Sequence, residues 1–147
     1  MGTITAVGDG VQDFAVGDRV ISMGRANWAQ EIQVPASTLI KVSTEADLLQ
    51  IGMLKVNPAT AKFMLDHYVD LKQGDCVVQN AGNSAVGRYL IQLAKAKGVH
   101  SINIVRREGL EQELIEIGAD LVLVEGEDLP EKVLSLIHIS EPTRLGA

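Results

Sequence analysis

The sequence predicts an α/β fold in which a small, turn-rich β region precedes a doubly wound parallel sheet. Two observations carry this reading. From Val77 to Gly98 an apolar run passes through a turn of small residues into an amphipathic helical pattern, and the apolar run 102–105 follows. A further helical stripe and the short run Leu-Val-Leu-Val at 121–124 then repeat the alternation. Strand, helix, strand, helix, strand is the order that gives parallel strands joined by right-handed crossovers, with helices expected on both faces.

In chain order, residues 1–45 hold three strand-like runs, ITAVGDGV, VGDRVISM and AQEIQVP, punctuated by Gly and Asp. Gly17-Asp18 and Gly74-Asp75 each stand just before an apolar run, where Gly takes a positive φ and the Asp carboxylate satisfies local backbone donors. Their role is structural. Between Ala46 and Asp70, the apolar positions Leu48, Leu49, Ile51, Met53 and Leu54, then Ala61, Met64 and Leu65, predict helices divided near Asn57-Pro58. Proline suits a helix start. After the Val77–Gly98 unit, Leu110, Leu114, Ile115 and Ile117 form a helical stripe closed by Gly118. Trp28, Tyr68 and Tyr89 are expected to pack rather than react.

Composition bounds the function. With 147 residues and 46% hydrophobic content the chain describes a globular protein. A net charge of -6, without a basic stripe, argues against nucleic-acid binding. No apolar run is long enough to cross a bilayer, so no membrane partner is expected. The N-terminus lacks the parts of a signal peptide and reads as incomplete. Cys76 is the only cysteine, which excludes an internal disulfide, and it is expected to fill a buried strand. His67, His100 and His138 are scattered without metal-ligand spacing, so no metal is expected.

The turn Gly82-Asn83-Ser84-Ala85-Val86-Gly87 carries the chemistry. Small side chains let backbone N–H groups approach a pyrophosphate, which then sits at a helix N-terminus. The spacing is G-x-S-x-x-G, and the bland alternative is an ordinary strand-to-helix connection. At the end of the next strand an NAD site usually places an acid for the ribose hydroxyls. Here stand Arg106 and Arg107, whose forked donors suit a 2′-phosphate, so NADPH is the expected cofactor. Glu108 weakens that positive field, and two solvated surface arginines are the alternative.

These residues resemble the medium-chain dehydrogenase/reductase superfamily over nearly all of 2–133. The run TAVGDGVQDFAVGDRV is similar to the superfamily's GroES-like catalytic domain. Val56-Asn57-Pro58-Ala59-Thr60-Ala61 and the loop from Gln79 to Val86 resemble its zinc-free, mitochondrial-type trans-2-enoyl reductases more than its quinone reductases or alcohol dehydrogenases. The resemblance implies part of a GroES-like domain over 1–45. It implies linking helices and the first half of an NADPH-binding Rossmann domain over 46–133. Asn57 becomes a polar contact near the cofactor, with helix capping before Pro58 as its alternative. Asn83, Ser84, Ala85 and Val86 become the pyrophosphate turn, and Arg106, Arg107 and Glu108 flank the adenosine phosphate. The family tends to show Arg, an acid and a base there, whereas this chain reads Arg-Arg-Glu, which leaves the roles of Arg107 and Glu108 open.

The family's proton-donating tyrosine belongs to a segment without a counterpart here, so no catalytic residue is expected. From Leu134 to Arg144 the run LSLIHISEPTR resembles the in-frame translation of a transposase sequencing adapter, and 134–147 is expected to be a non-native tail. The alternative is a natural amphipathic helix partly burying Leu134, Ile137 and Ile139.

The expected function is a fragment of an NADPH-dependent reductase of 2-enoyl thioesters, inactive alone. The parent is expected to be a homodimer acting on small acyl thioesters, mitochondrial if eukaryotic and cytoplasmic otherwise. A quinone oxidoreductase fragment and a non-catalytic NADPH-binding module are the alternatives.

Overall fold

The computed structural model describes residues 1–25, 27–42 and 45–140, the side chains of 137–140 excepted. The chain forms two compact units, Met1–Ala59 and Thr60–Ala147.

In the first unit, β1 (Gly2–Thr3), β2 (Arg19–Ser22) and β3 (Leu39–Lys41) form an antiparallel sheet in that order, with Val20 opposite Gly2 on one side and Lys41 on the other. Val20 and Ile21 are buried. Asp18 ties the turn before β2 as its position predicts. Its carboxylate accepts from Ala15 N at 2.8 Å and pairs with Lys41 Nζ at 2.7 Å, while Gly17 holds φ +94°. The Lys41 hydrogen bond, then that of Ala15, lowers the Asp18 pKa. α1 (Leu48–Met53) starts at Asp47, whose side chain accepts from Leu49 N and Gln50 N. Lys55 Nζ donates to the carbonyls of Ser22 and Gly24 at 3.0 and 2.6 Å, closing the loop after β2.

Three expectations for this unit are corrected, the first being the run 4–11, which forms no strand because β1 ends at Thr3. The run 29–35 forms no strand, because no described segment offers it a ladder, and β3 forms instead from a run the sequence pattern did not single out. Trp28, expected in the core, is fully exposed for the same reason.

α2 (Asn57–Asp66) begins at Asn57-Pro58, where the missing proline N–H falls among groups with no intrahelical acceptor. In the second unit β4 (Cys76–Gln79), β5 (His100–Val105) and β6 (Leu121–Val124) are parallel and adjacent in that order. Val78 lies opposite Ile102, and Val105 opposite Val124. Gly74 at φ +89° and Asp75, accepting from Lys72 N at 2.7 Å, form the turn before β4 as expected.

α3 (Ala85–Lys97) joins β4 to β5, and α4 (Glu111–Glu116) joins β5 to β6. Leu90 and Ala94 of α3 pack with Ala61, Leu65 and Val99, and Val77 and Tyr89 lie against this cluster. Ile91 of α3 packs with Val105, Leu114 and Ala119, with Val122 and Val124 alongside. α3 and α4 therefore cover the same face of the sheet. Strands laid down in sequential order need crossovers of one hand in one direction, which keeps their helices on one side. This is one half of a doubly wound arrangement.

Cys76, expected in a buried strand, is another correction. Alternation turns Cys76 and Val78 away from the helix face, and both are exposed on a strand that, among the described residues, is paired along one edge only. Desolvation, then the Asp120 carboxylate, still raises the thiol pKa, which disfavours the reactive thiolate. Tyr89 packs as expected, whereas Tyr68 lies past the end of α2, exposed, with its ring edge-on to His67. α5 (Leu129–Ser140) runs through the first residues of the suspected tail, where Leu134 is exposed rather than partly buried. The remainder of that tail, 141–147, lies outside the described residues, as do the side chains of Ile137 and Ile139.

Candidate functional site

Three chain segments meet at the C-terminal edge of the parallel sheet. These are the turn 80–84 after β4, the corner 106–109 after β5, and Glu125 after β6. This edge is where open α/β sheets bind ligands.

The turn is shaped by close backbone approach. Ala81 sits at φ +50°, uncommon for a residue with a Cβ, and Gly82 N donates to Ile104 O at 3.1 Å, tying the turn to β5. A Cβ on Gly82 would lie 2.9 Å from Asn103 Cβ, and one on Gly87 would lie 2.6 Å from Gly82 O. Gly82 lets the turn lie against Asn103 of β5, and Gly87 lets the first turn of α3 lie against the backbone of Ala81 and Gly82.

Ser84 is the N-cap of α3. Its Oγ accepts from Gly87 N at 3.1 Å and its carbonyl from Arg88 N at 2.9 Å. Among the described residues, the amides of Ala85 and Val86 have no protein acceptor. Unpaired amides at the positive end of a thirteen-residue helix favour an anion. The Val86 side chain points the other way, into the cluster of Leu90 and Ala94, so Val86 offers its backbone alone.

Sequence reasoning missed the supports beneath this turn. Gln79 Nε2 donates to Asn103 Oδ1 at 2.6 Å and to Gly87 O at 3.1 Å. The Asn103 amide, fully buried, donates to Ser101 Oγ, Ser101 O and Leu121 O at 3.1–3.3 Å. A signal was present: Asn103 is a lone polar residue in the apolar run Ile-Asn-Ile-Val. Arg88 spans from the turn to α4, donating Nε to Asn83 O at 3.1 Å and pairing Nη1 with Glu113 Oε1 at 2.6 Å. That hydrogen bond raises the Arg88 pKa and lowers that of Glu113.

Arg106, Arg107 and Glu108 are all exposed at the corner, which turns at Gly109 with φ +83°. Arg106 Nε lies 3.7 Å from Glu125 Oε2. The turn and the arginine pair thus share one edge of the sheet. Asn57 lies in the other unit, as the first residue of α2 rather than as a cap preceding it. Among the described residues no cluster of potential metal ligands occurs, and no helix is long and apolar enough to cross a membrane.

Comparison with known proteins shows what the chain is similar to. No family model matches the chain. The mitochondrial enoyl-[acyl-carrier-protein] reductase of Caenorhabditis elegans is 36% identical over 132 residues, which are 86% of this chain and 38% of the relative. Among solved structures, the mitochondrial 2-enoyl thioester reductase Etr1p/Etr2p heterodimer of Candida tropicalis superposes with a TM-score of 0.81. It is 29% identical over 94% of this chain and 44% of its own. Over the part of their length that it matches, the chain is similar to the enoyl reductases of the medium-chain dehydrogenase/reductase superfamily. A structure of the Etr1p/NADP/crotonyl-CoA complex agrees at TM-score 0.82 and 29% identity, with the same coverage. The chain spans about two fifths of the length of these family members.

Proposed function

We propose that this chain is the cofactor-anchoring part of an NADPH-dependent reductase of 2-enoyl thioesters. The observation that carries the reading is the pair of unpartnered amides, Ala85 and Val86, on the same sheet edge as Arg106 and Arg107. The nicotinamide nucleotide supplies the hydride. The chain's residues hold it: the amides of Ala85 and Val86 take the pyrophosphate, Ser84 fixes the helix start that aims them, and Asn83 shapes the approach. The Arg106 guanidinium takes the 2′-phosphate, with Arg107 adding positive field. Glu108 weakens that field, and Asn57 is a further polar residue proposed to contact the cofactor. The donor set fits a dinucleotide, since the side chains of the turn are small and the arginines are solvent-accessible.

The thioester substrate rests on the enoyl reductase relatives and on the crotonyl-CoA in the Etr1p complex. Enolate stabilisation and protonation belong to residues outside this chain, so the chain alone is expected to be inactive. The complete protein is proposed to pair with a second subunit, as the Candida heterodimer does, and to work in mitochondria where its source is eukaryotic.

The test is titration of the purified chain with NADPH and NADH, followed by nucleotide fluorescence, and an assay of NADPH oxidation with crotonyl-CoA. Binding that prefers NADPH, without turnover, is the expected result. Binding of neither nucleotide overturns the cofactor reading, and steady turnover overturns the division of labour.

A further inference from the structure

Resting on that cofactor reading, we propose that Glu125 sets nucleotide preference by competing with the 2′-phosphate for Arg106. The observation is a juxtaposition fixed by the backbone. β5 and β6 run in parallel register to Val105 and Val124, and Glu125 N donates to Val105 O at 2.8 Å, which holds Glu125 beside Arg106 at the edge of the sheet. The Glu125 carboxylate then reaches the Arg106 guanidinium at 3.7 Å, inside ion-pair range but longer than a charge-assisted hydrogen bond. Both side chains are largely exposed, at 88% and 60%.

Such a pair is weak and exchangeable. It does not lock Arg106; it offers a carboxylate at the position an incoming phosphate must take. The corner carries two cations, Arg106 and Arg107, and two anions, Glu108 and Glu125. A 2′-phosphate carries close to two negative charges at neutral pH, so it loses the Glu125–Arg106 pair and also meets Glu125 as a like charge. NADH has a neutral 2′-hydroxyl there, which the Glu125 carboxylate can accept from, as the acid at the strand end does in NAD sites. Glu125 therefore lowers the preference for NADPH, acting on the adenosine end of the nucleotide and leaving the pyrophosphate turn untouched.

The experiment measures dissociation constants of the full chain and its E125Q variant for NADPH and NADH, at low and high salt. Gln keeps the size and the backbone bond, and the exposed position leaves thermal melting unchanged. The expected result is about fivefold tighter NADPH binding in E125Q, with NADH unchanged or weaker, and a gain that shrinks as salt screens the charges. Equal effects on both nucleotides, or none, overturn the inference while the wild-type preference for NADPH leaves the cofactor reading standing. If the wild-type chain binds neither nucleotide, the cofactor reading falls and the inference with it.

Discussion

Replacing Gly87 by Ala puts the packing of the turn to the test. The added Cβ would stand 2.6 Å from Gly82 O, and 2.9 Å from both Ala81 O and Gly82 C. All three are backbone atoms, so no flexible side chain can give way. Reaching an ordinary contact of 3.4 Å requires a shift of about 0.8 Å at the tightest point. Overpacking of this kind costs about 1–3 kcal/mol, and the helix propensity gained over Gly returns at most about 1 kcal/mol. The net expectation is a loss of about 1–2 kcal/mol. Movement of the first turn of α3 also displaces the amides of Ala85 and Val86, so NADPH binding is expected to weaken about tenfold or more, which is about 1.4 kcal/mol. Gly52 is the control. It lies in α1 with nothing within 4 Å of its would-be Cβ, so G52A shows the propensity gain without the clash. Urea unfolding and nucleotide fluorescence read both variants. A G87A chain as stable as wild type, with unchanged NADPH affinity, would refute the close-approach argument.

Two further outcomes follow from buried and paired polar groups. N103L removes the acceptor of Gln79 Nε2 and pushes a larger side chain toward Gly82, so urea unfolding is expected to show a loss of about 2–3 kcal/mol; near-wild-type stability would mean the amide pair is dispensable. Hydrogen bonds from Lys62 Nζ at 2.5 Å and Lys97 Nζ at 2.8 Å lower the Asp66 pKa from 3.8 to about 2. A depressed carboxyl contributes stability that is present above the unfolded pKa and lost as pH falls through the folded one. Thermal melting should therefore show the Asp66 contribution fading between pH 3.8 and about 2, and D66N should flatten that limb; identical acid limbs would refute it.

The parallel sheet, α3, α4 and the turn were legible because each depends on local rules. Period-2 and period-3.6 patterns separate strand from helix, and small residues mark the turn. Gly17-Asp18 and Gly74-Asp75 were legible for the same reason, since Asp18 and Asp75 bond within their own turns. What was not legible depends on partners distant in sequence. AQEIQVP has a strand's composition, yet a strand forms only where a neighbouring ladder exists, and the exposure of Trp28 follows from that. The period of β4 fixes that Cys76 faces away from Val77, but only the crossover geometry fixes which face the helices cover. The Gln79–Asn103 pair joins positions on different strands, and the proximity of Glu125 to Arg106 is a consequence of strand register.

The central claim is that the turn after β4 holds a nucleotide pyrophosphate. The most direct measurement is an amide NMR titration of the isotope-labelled chain with NADPH. The largest shifts are expected at the amides of Asn83, Ala85 and Val86, with a second group at Arg106 and Arg107. Shifts centred elsewhere in the chain, or none at saturating NADPH, would contradict the account.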